Sequence, residues 1–191
     1  MERKYAWHNY DDATMEKVYA LSDTYRQFLD NGKTERECVV QAVEFAEAKG
    51  YVNLKDIIKN NTPIKAGDKI YYTHMDKSIA LFNIGTDDIE LGMNILGAHI
   101  DSPRIDVKQN PQYEDSNLVF WDTHYYGGIK KYHWVAMPLA IHGVVVKTDG
   151  TRININIGDK ENDPVFCITD LLPHLGQEQM QKNAAKVIEG E

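Results

Sequence analysis

The feature that most constrains the fold is a single change of hydrophobic period along the chain. Up to about residue 50 the apolar residues recur at helical spacing, and from Lys69 onward they form short runs rich in β-branched and aromatic residues. The period predicts two helices between Asp12 and Ala48, separated at Asn31-Gly32. Thr34 followed by Glu37 is a capping-box pattern, which places the start of the second helix.

The later part of the chain predicts strands joined by tight turns. Two hairpins are expected, one over residues 69–84 and one through Thr148-Asp149-Gly150. The run Asn94–His99 is mostly apolar and predicts a strand buried on both faces. Further strands are expected at 104–108, 118–123, 139–147 and 151–157, and a helix from Gln177 to Glu191. The prediction is a mixed α/β fold divided into residues 1–103 and residues 104–191.

Composition excludes several classes of protein. The 191 residues include 21 Lys and Arg against 29 Asp and Glu, a net charge of −8, and nucleic-acid binding normally needs clustered basic residues. No apolar window is long enough for a membrane span or resembles a signal peptide, so we expect a cytoplasmic protein that binds neither membrane nor nucleic acid. Cys38 and Cys167 form no CxxC unit, and we expect both to be buried and unbridged.

The residues with the clearest chemical potential are His99 and Asp101, in the string Gly97-Ala-His-Ile-Asp-Ser-Pro103. Residues two apart in a strand share a face, so an imidazole and a carboxylate would lie side by side. A carboxylate behind a metal-binding histidine fixes its tautomer. The pattern alone leaves open a structural role, with His99 bonded internally and Asp101 capping a turn.

The longer string GAHIDSPRIDVKQNP, with Tyr125-Tyr-Gly-Gly128 and Trp134 after it, resembles the M18 family of metallo-aminopeptidases and looks most like its clostridial-type branch. The resemblance implies that His99 binds one ion of a two-zinc site and that Asp101 orients it, with cobalt and manganese open as alternative metals. It implies that residues 1–103 belong to a zinc-peptidase catalytic domain and 104–191 to an inserted β-rich oligomerisation domain. The implied enzyme removes N-terminal residues from peptides and assembles as a homo-oligomer, a dodecamer in the family.

The resemblance also implies a role for His174, because Pro173-His174-Leu175 matches a segment whose histidine reaches a neighbouring subunit's active site. A surface histidine after a proline is an equal alternative. The family's Glu-Glu pair, which supplies its general base, is absent from the sequence. We therefore expect an N-terminal portion of a longer enzyme that is inactive alone. The rival hypotheses are a non-catalytic β-rich assembly or binding module, or another binuclear hydrolase such as a carboxypeptidase or deacylase.

Overall fold

The computed structural model describes residues 5–188, which form two compact units that divide between Asp101 and Ser102. The first unit contains three helices and a small sheet, and the second contains two antiparallel strand pairs. The predicted mixed α/β fold is confirmed.

The helices of the first unit begin and end where local signals place them. They are α1 (Asp12–Asn31), α2 (Glu35–Ala48) and α3 (Leu54–Lys59). The capping box of α2 is confirmed, because the Thr34 hydroxyl accepts from the Glu37 amide and the Glu37 carboxylate accepts from the Thr34 amide at 2.9 Å. Gly32 ends α1, and a Cβ there would lie 2.8 Å from the Cys38 Sγ atom. Only glycine therefore fits where α2 begins to pack on α1.

A three-stranded sheet covers one side of α2 and carries the core of the first unit. The strands are β1 (Val52–Asn53), β2 (Lys69–His74) and β3 (Ser78–Asn83), with β1 parallel and β3 antiparallel to β2. The first predicted hairpin is thus confirmed, with Met75 and Asp76 in the left-handed conformation of its turn. The buried hydrophobic residues of the described chain are Cys38, Val39, Ala46, Ile70 and Tyr71.

The predicted strand at 94–99 is wrong. The segment has no regular secondary structure, and the Ile95 and Leu96 side chains are 79% and 100% exposed. A strand buried on both faces needs neighbouring strands and covering layers. None of the strands in residues 5–188 pairs with this segment, so no described strand covers its apolar side chains.

The second unit consists of two strand pairs and loops. β4 (Arg104–Asp115) pairs with β5 (Leu118–Tyr126), and β6 (Ile141–Val146) pairs with β7 (Arg152–Ile157). All four predicted strands and the Thr148–Gly150 turn are confirmed, although β4 and β5 extend beyond their predicted ends. The extension of β4 contains an irregularity between Val107 and Gln112, where Pro111 removes a backbone donor.

Two further expectations for the second unit are wrong. Cys167 is exposed, whereas Cys38 is buried as predicted, and neither cysteine forms a disulfide. The predicted C-terminal helix is replaced by isolated turns and a three-residue 3₁₀ segment, Gln179–Gln181; residues 189–191 of that prediction lie outside the described residues. The turns close through short-range bonds such as Lys186 N to Asn183 O, and a continuous helix is not nucleated. Within residues 5–188, no helix has the length and hydropathy needed to cross a membrane.

Candidate functional site

The His99 and Asp101 side chains are in contact. The His99 Nδ1 atom lies 3.1 Å from the Asp101 Oδ1 atom and 3.0 Å from the backbone oxygen of the same residue. The side chains meet as the two-residue spacing predicts, but a segment without regular secondary structure brings them together instead of a strand. The contact is therefore local and does not depend on a sheet.

The contact with Asp101 bears on which nitrogen of the His99 imidazole can bind a metal. A neutral His99 that donates its Nδ1 hydrogen to Asp101 keeps the lone pair on Nε2. The His99 side chain is 82% exposed and the Asp101 side chain 38% exposed, so solvent and solutes reach the ring. An imidazole whose other nitrogen is held by a carboxylate is the usual arrangement of a metal-binding histidine.

The described residues do not complete a metal site. Among residues 5–188, no group of three or more His, Cys, Asp or Glu side chains is placed to hold a metal ion. A catalytic zinc needs three protein ligands and an open position. The donor set at His99 and Asp101 thus fits one ligand of a zinc site and the carboxylate that orients it.

His174 lies in the second unit at the tip of a tight turn. The Leu175 amide donates to the Leu172 carbonyl at 2.9 Å, which places Pro173 and His174 at the two central positions. His174 is exposed, and proline before it presets the turn geometry. The turn follows Asp170, whose pKa is lowered by hydrogen bonds from Gln179 and from the Leu171 amide. Hydrogen bonds within the loop thus hold its conformation, and the His174 imidazole is exposed to solvent.

The structure also contains a histidine–carboxylate pair that sequence reasoning missed. His142 lies with its Nε2 atom 3.2 Å from the Asp159 Oδ1 atom. Its side chain is 9% exposed. The other Asp159 oxygen accepts from Asn156, the cross-strand partner of His142. The sequence indicates this pair only once the hairpin register is known, because the register places His142 opposite Asn156. The contacts of Asp159 with both residues join the end of β7 to β6.

Comparisons with known proteins place the chain in a family. Residues 28–189 match the model of the Aminopeptidase I zinc metalloprotease (M18) family. The probable M18 family aminopeptidase 1 of Clostridium acetobutylicum is 53% identical over 190 residues, which cover 100% of this chain and 41% of that protein.

Solved structures agree with this match. The crystal structure of aminopeptidase I from C. acetobutylicum has a TM-score of 0.84 at 53% identity, over 100% of this chain and 42% of that one. The Thermotoga maritima M18 structure has a TM-score of 0.86 at 44% identity, over 97% of this chain and 39% of that one. The mApe1 dodecamer of Saccharomyces cerevisiae shares the fold, with a TM-score of 0.64 at 20% identity over 79% of this chain and 36% of that one.

The chain spans about 41% of the length of the curated relative from Clostridium. The predicted family, and the likeness to its clostridial-type members, are confirmed by the family match and by this identity. The chain belongs to the M18 family of aminopeptidases, of which it represents an N-terminal portion.

Proposed function

We propose that this chain supplies one zinc ligand, His99, and its orienting carboxylate, Asp101, to an aminopeptidase that removes the N-terminal residue from peptides in the cytoplasm. The observation that supports the proposal most directly is the 3.1 Å contact between the His99 Nδ1 atom and the Asp101 Oδ1 atom beneath an exposed ring. Membership of a family described as zinc metalloproteases supports the choice of metal.

Each residue has a definite task in this proposal. Asp101 accepts the Nδ1 hydrogen, which keeps His99 in the tautomer whose Nε2 lone pair can bind a metal. The backbone oxygen of Asp101 accepts at 3.0 Å from the same nitrogen and limits rotation of the ring. Zinc held by His99 would supply polarisation of a peptide carbonyl and activation of a water molecule near neutral pH. Neither His99 nor Asp101 transfers a proton to or from the substrate. His99 binds the metal, and Asp101 orients the His99 ring.

The remaining groups of the site belong, in the proposal, to the M18 sequence that this chain does not span. Two zinc ions need more ligands than His99, and a general base must accept a proton from water. The sequence contains no Glu-Glu pair, and the described residues hold no cluster of three metal ligands. We therefore propose that the 191-residue chain alone is inactive. Cobalt and manganese are the alternative metals, because nitrogen and oxygen ligands bind these ions too.

The two parts of the chain have different roles in the proposal. Residues 1–103 belong to the catalytic domain, and residues 104–191 belong to a β-rich domain that mediates homo-oligomer assembly. A related yeast protein of the same fold forms a dodecamer, which supports assembly through this family's architecture. The exposed position of His174 at the tip of its turn is compatible with contact to a substrate in a neighbouring subunit.

A chimera tests the zinc role of His99. In this chimera the chain replaces the portion that it matches in the C. acetobutylicum relative, so that all other parts of the enzyme are present. His99→Ala should abolish release of the N-terminal residue from a peptide and lower the zinc content measured by atomic emission. The matched control is His74→Ala, which removes another exposed histidine of the first unit. Near-normal turnover and zinc content in His99→Ala would exclude the assignment and favour a non-catalytic module.

The same chimera separates the rival hydrolases. An aminopeptidase needs a free amino terminus, whereas a carboxypeptidase or deacylase accepts peptides or amino acids blocked at that end. We expect turnover of free peptides and no turnover of their N-acetylated counterparts. The opposite preference would replace the aminopeptidase proposal with the deacylase alternative.

A further inference from the structure

The junction between α1 and α2 contains the dipeptide Asn31-Gly32. Asn31 is the only asparagine of the sequence that glycine follows. It is exposed and is the last residue of α1, and Gly32 lies beyond the helix with φ and ψ of −114° and 73°. Glycine hinders an approach to its backbone least of all residues, and the ends of helices open more easily than their centres. The Gly32 nitrogen is therefore well placed to reach the Asn31 side chain.

The Gly32 amide is not held by the helix that precedes it. The corresponding amides after α2 and α3, those of Lys49 and Asn60, donate to carbonyls of the last helical turn. No hydrogen bond of ordinary geometry leaves the Gly32 amide within the described part of the chain. The Phe28 carbonyl, four residues earlier, instead accepts from the Gln41 side chain at 3.0 Å. No well-formed hydrogen bond has to break before the Gly32 nitrogen reacts.

We propose that Asn31 is a site of spontaneous deamidation and isomerisation. The Gly32 nitrogen bonds to the Asn31 Cγ atom, the Cγ–Nδ2 bond breaks, and the Nδ2 group leaves as ammonia with the hydrogen of the Gly32 amide. Water then opens the cyclic imide. Cleavage of its bond from nitrogen to Cγ gives aspartate, and cleavage of its bond from nitrogen to the backbone carbonyl carbon gives isoaspartate. The reaction needs only water, and the inference is independent of the zinc proposal.

The isoaspartate product lengthens the backbone by one carbon where α2 packs on α1. A Cβ atom at Gly32 would already lie 2.8 Å from the Cys38 Sγ atom and 2.9 Å from the Gln41 Nε2 atom. Close-packed groups of this kind do not absorb an added carbon without moving apart. The Gly32 carbonyl also accepts from the Cys38 thiol at 3.6 Å. We therefore expect isoaspartate to expose Cys38, which is 5% exposed in the unmodified chain.

The aspartate product changes the charge and leaves the length of the backbone unchanged. A carboxylate at the end of α1 is unfavourable, because the C-terminal end of a helix carries partial negative charge. Asp30 beside it has the same charge. The variant Asn31→Asp reproduces this product and thus separates the effect of charge from the effect of the longer backbone.

The turn of the second hairpin provides a matched control. Asp149→Asn creates the same dipeptide there, because Gly150 follows. In this turn the Gly150 amide donates to the Lys147 carbonyl at 2.9 Å, and the Asp149 Oδ1 atom accepts from the Thr151 amide at 2.8 Å. An asparagine oxygen can keep the second bond. Both bonds oppose cyclisation, so the introduced asparagine should react at least about fivefold more slowly than Asn31.

The experiment incubates the folded chimera at mildly alkaline pH and analyses its proteolytic peptides by mass spectrometry. We expect aspartate and isoaspartate at position 31, with isoaspartate identified by enzymatic methylation. Asn31→Gln should stay unmodified, because its longer side chain forms the corresponding ring much more slowly. The asparagine introduced by Asp149→Asn is followed in the same digest.

Cys38 reports the structural consequence. Burial raises the pKa of its thiol, so the unmodified protein should react slowly with a small thiol reagent. Ion exchange separates the modified fraction, which carries one more negative charge. In that fraction we expect Cys38 to be labelled at least about tenfold faster than in the fresh parent. Fresh Asn31→Asp should be labelled at the rate of the parent.

Four results would overturn the proposal. One is an Asn31 that stays intact in the folded chimera while the denatured chimera deamidates. Another is formation of aspartate without isoaspartate, which would indicate direct hydrolysis of the side chain. Equal rates at position 31 and at the introduced asparagine would show that hydrogen bonding of the glycine amide does not control the reaction. A modified fraction with the Cys38 labelling rate of the parent would show that the packing of α2 on α1 is unaffected.

Discussion

Replacing Asp101 by alanine should weaken the proposed zinc site without dismantling the first unit. The Asp101 side chain is 38% exposed, and it contacts the His99 Nδ1 atom. Its removal leaves the loop backbone in place, including the Asp101 carbonyl oxygen that also lies 3.0 Å from Nδ1. One of the two acceptors that orient the imidazole is therefore lost and the other is kept.

The size of the effect follows from this partial redundancy. Loss of the partner that orients a metal-binding histidine typically costs 10–100-fold in affinity or activity. Because the carbonyl oxygen still accepts from Nδ1, we expect the lower end of this range, about tenfold, or ~1.4 kcal/mol. Asp101→Asn should lose less than Asp101→Ala, since the amide oxygen can still accept the hydrogen.

Zinc affinity of the chimera, measured by competition with a chelating dye, gives the direct readout, and peptide turnover at saturating zinc gives the second. Both variants should keep the melting temperature of the parent to within a few degrees. Equal zinc affinity in the parent and in Asp101→Ala would refute the reasoning. A loss well above 100-fold would contradict it in another way, because Asp101 would then act as a direct ligand.

Three further predictions concern the chain itself. The 191-residue chain should release no product from an aminoacyl nitroanilide under conditions in which the chimera does; zinc-dependent release by the short chain would show that it holds a complete site. Tyr71→Phe should lower the free energy of unfolding by about 1–2 kcal/mol in urea titrations, because it removes the 2.6 Å bond from the buried Tyr71 hydroxyl to Glu47. Burial and this bond raise the pKa of Tyr71 in the folded state. The stability that the Tyr71 hydroxyl contributes is therefore complete below the pKa of an unfolded tyrosine and is lost as the pH rises through the pKa of the folded state. If Tyr71→Phe remained less stable than the parent by the same amount at high pH, this reasoning would be contradicted. Gly158→Ala should destabilise the second unit, because a Cβ there would lie 2.9 Å from the Ala140 Cα atom on a backbone with a φ of +111°; unchanged hydrogen exchange in β6 and β7 would count against it.

Signals that lie within a few residues of each other predicted the local structure well. Thr34 and Glu37 placed the start of α2, and the Thr148–Gly150 turn placed the second hairpin. In both cases the residues that make the structure are adjacent in sequence, so their hydrogen bonds follow from spacing alone. The contact between His99 and Asp101 belongs to the same class, since it joins residues two apart.

Predictions that depended on distant partners failed. The apolar pattern at 94–99 indicates a buried strand, but burial requires neighbours, and the described strands supply none. Cys167 was expected to be buried because cysteines usually are, yet it lies at an open cavity. The pair formed by His142 and Asp159 was missed because the residues are 17 positions apart and meet only through the hairpin register. Sequence spacing carries no information on such pairs until the topology is known.

The zinc role of His99 is tested most directly by anomalous diffraction at the zinc absorption edge from crystals of the chimera. The account predicts an anomalous peak within bonding distance of the His99 Nε2 atom, with the Asp101 carboxylate still in contact with Nδ1. Well-ordered density for the His99 ring with every zinc peak beyond bonding distance of it would contradict the account.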